Sequence, residues 1–313
     1  MLRFILSRLA STVPVLLVVS ITVFLILRLA PGDPAAVIGG SNATTDDIAA
    51  IRQSLGLDKS LLQQFLIFIG NLLHGDLGRS YYFNKPVATL IAERVGPTLS
   101  IASGTMLFAV AVAVPMGTLA AWRMGGWLDR LVMGFSVLGF SVPVFVVAYL
   151  LIMPLSLKLG WLPVQGYVPP SDGLRAWASH LVLPWIALGT VYVALLARVT
   201  RASVSEALTE DYIRTARAKG VSQAAVLFRH ALVNAAVPIV TVVGIGVALL
   251  IGGVVVTETV FAIPGLGSMT VEAVLNRDFP VIQGVVLFFA FANVAINLLV
   301  DLCYLALDPR IRY

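Results

Sequence analysis

The chain has 313 residues, of which 59% are hydrophobic and 12% are charged, and its mean hydropathy is +0.95. Because a soluble domain carries about a quarter charged residues, this composition excludes an ordinary water-soluble enzyme, and the apolar content excludes a disordered chain. The net charge of +5 is interpreted as the basic bias that orients a membrane protein, and no nucleic-acid partner is expected. The composition predicts an all-α protein that crosses a lipid membrane several times.

Six stretches free of Asp, Glu, Lys and Arg approach or exceed the roughly 20 apolar residues that a membrane-spanning helix needs. One charge at the centre of such a helix costs about 2.5–3.5 kcal/mol on insertion scales, so the lack of charges is informative. The predicted spans are residues 9–27, 98–122, 131–157, 176–197, 231–257 and 279–300. The first span follows two arginines, but its apolar run is too long for a cleaved signal peptide.

The basic residues predict the orientation of these spans. An even number of spans leaves both termini on one side of the membrane. Twelve of the 21 Lys and Arg residues fall on that side, although its loops are shorter in total. The positive-inside rule therefore places the N and C termini in the cytoplasm.

The first segment outside the membrane, residues 28–97, carries helix signals of its own. Thr45 followed by two acids predicts a helix start, and Gly56 predicts the end of that helix. Apolar side chains spaced three and four apart then predict an amphipathic helix over residues 61–73 that ends near Gly75. We expect this helix either to lie on the outer membrane surface or to pack on the helix bundle.

No catalytic or metal-binding constellation is visible in the sequence. The GxxxxGK[ST], HExxH and GxSxG patterns are missing, the three histidines are scattered, and the single Cys303 forms neither an intrachain disulfide nor a thiolate cluster. The spans contain almost nothing ionisable, and the one carboxylate considered for ion coupling, Asp301, follows the sixth span at its inner end, which argues against a proton- or sodium-coupled carrier. We expect no catalytic residue, no metal and no cofactor in this chain, and an energy source outside the membrane.

The second segment outside the membrane is residues 198–230, between the fourth and fifth spans. Ser203 and Glu206 have the spacing of a capping box. Ser222 predicts the cap of a further helix, and Gly220 suits the junction of two short helices because glycine adopts a positive φ at little cost.

The junction is slim and surrounded by cations. Ala216 and Ala218 keep it narrow, and Arg217 and Lys219 are expected to point outward. Such a turn suits insertion into a groove of a cytoplasmic partner. The alternative is a solvated connecting loop that only sets the topology.

Short blocks of residues follow one another in a specific order along nearly the whole chain. They are Pro31–Pro34, Leu55–Asp58, Gly75–Ser80, Glu210–Tyr212, Lys219–Gly220, Arg229–Leu232, Pro264–Gly267, Arg277–Val281 and Leu307–Arg312. In order and spacing the blocks resemble the first, B-type, permease subunit of the dipeptide, oligopeptide and nickel ABC importers.

The resemblance implies a type I ABC-importer permease fold in which residues 198–230 are the family's EAA loop, which docks on an ATPase subunit. Aligned on Gly220, this chain has Arg214, Thr215 and Ala216 where the general importer pattern has Glu-Ala-Ala. The predicted coupling residues are Arg214, Thr215, Ala216, Arg217, Ala218, Lys219 and Gly220.

The resemblance also implies the partners of a single transmembrane permease domain, residues 1–313. Two separate cytoplasmic subunits would bind ATP with magnesium and hydrolyse it, so this chain would not itself be an enzyme. A related second permease would form a heterodimer with it, and a periplasmic binding protein would deliver the substrate. The location would be the bacterial inner membrane.

The fifth span is predicted to line the translocation path. Its glycines would provide a smooth wall, and the alternative is close helix packing. The candidate path residues are Gly244, Gly246, Gly252, Gly253 and Glu258.

Peptides are the preferred substrate because the predicted path is small and apolar. Glu258 and Asp278, near the outer mouth, would attract a peptide ammonium group or instead form a structural ion pair with Arg277. Bare Ni²⁺ would need His or carboxylate ligands, but a nickel chelate and glutathione remain open alternatives. More distant alternatives are a stand-alone channel, although no filter pattern is visible, and an ion-coupled carrier.

Overall fold

The computed structural model describes residues 2–29, 35–36, 44–54 and 56–307, and these ranges contain helices but no strand. The helices are α1 (Leu2–Leu29), α2 (Thr45–Ser54), α3 (Leu61–Leu73), α4 (Val87–Trp122), α5 (Trp127–Ser141), α6 (Val144–Ile152), α7 (Leu174–Ala207), α8 (Asp211–Ala218), α9 (Gln223–Asn234), α10 (Ala236–Val260), α11 (Leu266–Leu275) and α12 (Phe279–Leu307).

Three helices are long and apolar enough to cross a membrane by themselves, namely α4, α7 and α12. Two further crossings arise only if bent pairs are counted, α5 with the segment Val144–Lys158 and α9 with α10. Of α1, the side chains of Ser11–Leu25 are described, and this stretch is apolar. The described residues therefore support three to five spans by length and composition, and the six-span topology stays a prediction.

The predicted span 131–157 is not one straight helix. Helix α5 ends at Ser141, and the chain turns by 104° before α6 begins. Pro143 accounts for the break, because proline lacks a backbone N–H and disfavours helical geometry at the residue before it. Val142 accordingly has extended backbone (φ −88°, ψ 123°). A π-helical turn, Met153–Lys158, then follows α6.

Two other boundaries differ from the sequence-based ones. Helix α4 begins at Val87, well before the predicted second span, and α7 continues through Ala207. Ser203 and Glu206 therefore lie inside α7, and the capping box predicted there is wrong. The reason is tertiary: Val204 and Ala207 are buried, so packing extends the helix beyond the membrane segment.

The two helices predicted between residues 28 and 97 are present, and the first has a shifted cap. The cap of α2 is Thr44 rather than Thr45: the Asp47 N–H donates to the Thr44 hydroxyl (3.2 Å), and the Asp47 carboxylate accepts from the Thr44 N–H (3.0 Å). The hydroxyl and N–H donors of Thr44 lower the pKa of Asp47. Ser60 caps α3, and Gly75, with φ +76°, follows its end.

The chain divides into two compact units. The first comprises residues 1–96 and 265–294, and the second comprises residues 97–264 and 295–313. The core of the first unit joins the start of α4, α11 and the start of α12, with Val87, Leu266 and Met269 almost fully buried.

In the second unit α7 is central and packs against α5, α6 and α10. Small residues allow α4 and α7 to approach closely. A side chain at Gly117 would lie 2.5 Å from the carbonyl oxygen of Ala197, and one at Gly189 would lie 2.6 Å from the Phe108 ring. This use of glycine is typical of helix pairs in membranes.

Candidate functional site

The predicted junction at Gly220 is present. Helix α8 ends at Ala218, Gly220 has φ +77°, and α9 begins after Ser222, whose hydroxyl accepts from the Ala225 N–H (3.4 Å). The Gly220 N–H closes the turn on the Arg217 carbonyl at 3.0 Å. We refer to residues 211–234 as the elbow.

The elbow is anchored by an apolar cluster of the second unit. Ile213 and Ala216 are the buried residues of α8. They pack with Val204 and Ala207 at the end of α7 and with Ile239 of α10. Among the predicted coupling residues, Ala216 therefore serves as an internal contact and does not belong to the outer surface.

The outer surface of α8 carries the other predicted coupling residues. Arg214, Thr215, Arg217, Ala218 and Lys219 are exposed. Arg217 and Lys219 form no ion pair among the residues that the structure describes. This face is therefore basic and open to an acidic surface.

Acidic and aromatic groups lie beside this basic face. Asp211 contacts the Arg214 guanidinium at 3.4 Å, but both side chains are largely exposed, so the pair contributes little stability. Tyr212 is partly exposed, and partial burial together with the Glu210 carboxylate raises the pKa of its phenol. The phenol therefore stays protonated at neutral pH and is a hydrogen-bond donor on this face.

The sequence did not reveal an ion pair that joins α5 to α7. Asp129, in the first turn of α5, accepts from the Nε and the Nη2 of Arg201 in α7, both at 2.9 Å. It also accepts from the Gly125 N–H at 2.9 Å, and its side chain is 7% exposed. The pair fixes α5 to α7 six residues before α7 ends. The only signal in the sequence is an isolated acid among basic residues.

The four predicted path glycines fall into two environments. Gly244 and Gly246 are buried: a side chain at Gly244 would collide with Val300, and one at Gly246 would lie 2.9 Å from the Met106 methyl group. Gly252 and Gly253 are exposed, and a side chain at Gly252 would meet nothing within 4 Å. Only the second pair therefore offers open surface, and the first pair serves close packing.

The fifth candidate path residue, Glu258, is fully buried near the end of α10. Its carboxylate accepts from the Thr98 hydroxyl of α4 at 2.7 Å, and its carbonyl accepts from the Ile263 N–H at 2.8 Å. In this state the carboxylate joins two helices and does not face an open surface.

The carboxylate of Asp278 is likewise bound by donors of this same chain. It is fully buried and accepts from the Ser80 hydroxyl, the Tyr81 N–H (3.3 Å) and the Tyr82 N–H (3.1 Å). The predicted ion pair between Asp278 and Arg277 is not formed. The actual partners lie nearly 200 residues away in the sequence, which is why spacing did not reveal them.

Two family models together match nearly the whole chain. Residues 113–313 match the "Binding-protein-dependent transport system inner membrane component", and residues 1–102 match the N-terminal membrane component of such systems. The chain belongs to this permease family. The resemblance drawn from the sequence blocks is thereby confirmed.

Similar permeases carry related names. A probable peptide ABC transporter permease, y4tP of Sinorhizobium fredii, is 51% identical over 99% of both chains. A putative peptide transport system permease of Brucella abortus is 46% identical over 100% of both chains. The glutathione transport system permease GsiC of Escherichia coli K12 is 44% identical over 100% of both chains.

A solved structure shares the fold of this permease. It is the methionine ABC transporter MetNI in an inward-facing conformation, with a TM-score of 0.59 and 19% sequence identity. The match covers 70% of this chain and 96% of the other. The likeness supports a type I importer fold for this permease.

The structure also explains two of the blocks that carried the resemblance. Gly75–Ser80 and Arg277–Val281 meet through the bond between Ser80 and Asp278. Pro31–Pro34, Leu55 and Asp308–Arg312 lie outside the described residues.

Proposed function

We propose that this permease is the first transmembrane subunit of an ATP-driven importer that moves peptides into the cell. In this proposal it crosses the bacterial inner membrane six times with both termini in the cytoplasm. The observation that carries the proposal is the elbow. Its short basic helix α8 is exposed on one side and is buried on the other side against the ends of two long helices.

The elbow is suited to transmit force. A helix of eight residues has no stability of its own in water, so α8 keeps its position through Ile213 and Ala216. These side chains rest on residues of α7 and α10. A displacement of α8 by a docked partner is therefore passed to both helices, and alternating access follows as rigid-body movement of packed helices.

The partners in this proposal are those that the family implies. The exposed side of α8, with Arg217 and Lys219, docks on one of two cytoplasmic ATP-binding subunits, which hold ATP and magnesium and carry out hydrolysis. A second, related permease completes the path, and a periplasmic binding protein delivers the cargo. This chain carries the coupling surface and one wall of the path, for which Gly252 and Gly253 are the candidates.

Two cargo classes have specific support. Peptides are favoured because relatives at 51% and 46% identity are named peptide permeases. Glutathione, itself a tripeptide, is the second candidate because GsiC is 44% identical over the full length. A nickel chelate remains the third candidate.

The proposal is tested by uptake into proteoliposomes that contain the permease, its second permease and both ATPase subunits. Radiolabelled di- and oligopeptides, glutathione and a nickel–histidine chelate are offered separately with the binding protein. We expect ATP-dependent accumulation of peptides, and none when the catalytic glutamate of the ATPase subunits is replaced. Accumulation by this permease alone, without ATPase subunits, would contradict the proposal and favour a channel or carrier.

A further inference from the structure

Helix α3 exposes an apolar stripe on one side. Leu62, Leu66, Ile69 and Leu73 are spaced four, three and four apart, which places them on one face of the helix. Leu62, Leu66 and Leu73 are 68%, 61% and 81% exposed. We call these four residues the leucine stripe.

The stripe is not the face by which α3 packs on its own unit. That contact is made by Phe65 and Phe68, whose ring centroids lie 5.3 and 5.8 Å from the Phe24 ring of α1. On a third side Gln64 and Asn71 line a cavity of about 200 Å³. The leucine stripe is therefore a second apolar face, separate from both.

The surroundings of the stripe indicate lipid as its occupant. Helix α3 contains no charged residue, whereas the rim of a protein interface is polar. Helix α1, on which α3 packs, also exposes apolar side chains close to Phe24, with Val18 60% and Leu25 40% exposed. Ionisable side chains, which suit a water boundary, lie just beyond the two ends of α3, at Asp58 and Lys59 on one side and at His74 and Asp76 on the other.

We propose that the leucine stripe lies in the lipid bilayer, so that α3 is an interfacial helix parallel to the membrane. The proposal does not depend on the cargo. Only the choice of leaflet, the outer one, rests on the orientation given under the proposed function.

This contact has a structural consequence within the first unit. Gly75 follows α3 directly, and residues 76–82 then lead to the donors that bind Asp278 at the start of α12. The membrane contact of α3 thereby fixes the depth, relative to the bilayer, of the segment whose donors bind Asp278 at the start of α12. We assign α3 the role of a lipid-facing support for this part of the permease.

The test measures depth in the membrane with the complete importer in vesicles of phosphatidylethanolamine and phosphatidylglycerol. The chain has one cysteine, so a Cys303→Ser background allows one nitroxide label at a time. Labels are placed at Leu62, Leu66 and Leu73 in the stripe and at the polar positions Gln63 and Asn71 as controls.

The readout is the collision rate of each label with oxygen, which concentrates in lipid, and with a water-soluble nickel chelate. We expect oxygen to dominate at the three stripe positions and the nickel chelate to dominate at Gln63 and Asn71. Nickel-chelate contact at the stripe would overturn the proposal because the stripe would then face water. Protection from both reagents would also overturn it, because a protein partner would then cover the stripe.

These outcomes are independent of transport. Peptide uptake by the same labelled complexes is measured in parallel. Loss of uptake with an unchanged depth pattern would bear on the proposed function alone, and a reversed depth pattern with normal uptake would bear on α3 alone.

Discussion

Ile213 is the residue whose replacement most directly tests the elbow. Its side chain is fully buried in the cluster that joins α8 to α7 and α10. Truncation of a buried isoleucine to alanine costs about 2–5 kcal/mol. Because α8 is too short to be stable as an isolated helix, this lost packing energy weakens the packed position of α8 relative to the detached one. A loss of about 3 kcal/mol shifts that equilibrium roughly 100-fold, because about 1.4 kcal/mol corresponds to a factor of ten.

The assay is the ratio of peptide accumulated to ATP hydrolysed in proteoliposomes with all partner subunits. For Ile213→Ala we expect this ratio to fall at least about tenfold, in keeping with the shifted equilibrium. Ile213→Val removes a single methylene, costs about 0.5–1.5 kcal/mol and should lower the ratio slightly. Leu138→Ala, an exposed aliphatic truncation in α5 of the same unit, is the control and should leave the ratio unchanged.

The graded series separates packing from simple failure to assemble. Co-purification of all subunits with both Ile213→Val and Ile213→Ala establishes that assembly is intact. Normal uptake per ATP in an assembled Ile213→Ala complex would refute the argument that burial of this side chain transmits the movement of the ATPase.

Three further predictions concern the same unit. Arg201→Met leaves the carboxylate of Asp129 buried without its cation, so we expect about 2–4 kcal/mol of destabilisation. The double variant with Asp129→Leu should recover most of this loss, and thermal unfolding of the wild type, both single variants and the double variant measures it as a cycle. Gly244→Val should lower assembly because its side chain would collide with Val300 of α12, while Gly252→Val should assemble normally, and size-exclusion yield compares the two. Gly220→Pro imposes a negative φ where +77° is needed and removes the N–H that closes the turn, so uptake per ATP should be lost although the subunits still co-purify.

The local features of the elbow could be predicted from sequence, because each depends on a few neighbouring residues. Gly220 needs only its own backbone freedom, and Ser222 needs only the N–H three residues ahead. The amphipathic α3 was predicted for the same reason: its pattern is complete within 13 residues.

The remaining features depend on contacts that are distant in sequence. Helix α7 extends through Ala207 because Val204 is buried against α8 and α9, and a capping pattern carries no information about that contact. Asp129 and Arg201 are 72 residues apart, and charges at the ends of spans had been interpreted only as markers of topology. Pro143 is present in the sequence at the break in the predicted span 131–157. A prediction from charge and hydropathy alone takes no account of a proline inside an apolar run.

The bond between Ser80 and Asp278 has a consequence for how the protein is made. It joins residues 198 positions apart, within a unit built from both ends of the chain. At about 5–20 residues per second, a ribosome needs roughly 10–40 s to reach the carboxylate after the hydroxyl has emerged. Throughout that interval the donors at Ser80, Tyr81 and Tyr82 have no carboxylate to bind, so formation of this contact is a late event that follows synthesis of nearly all the helices.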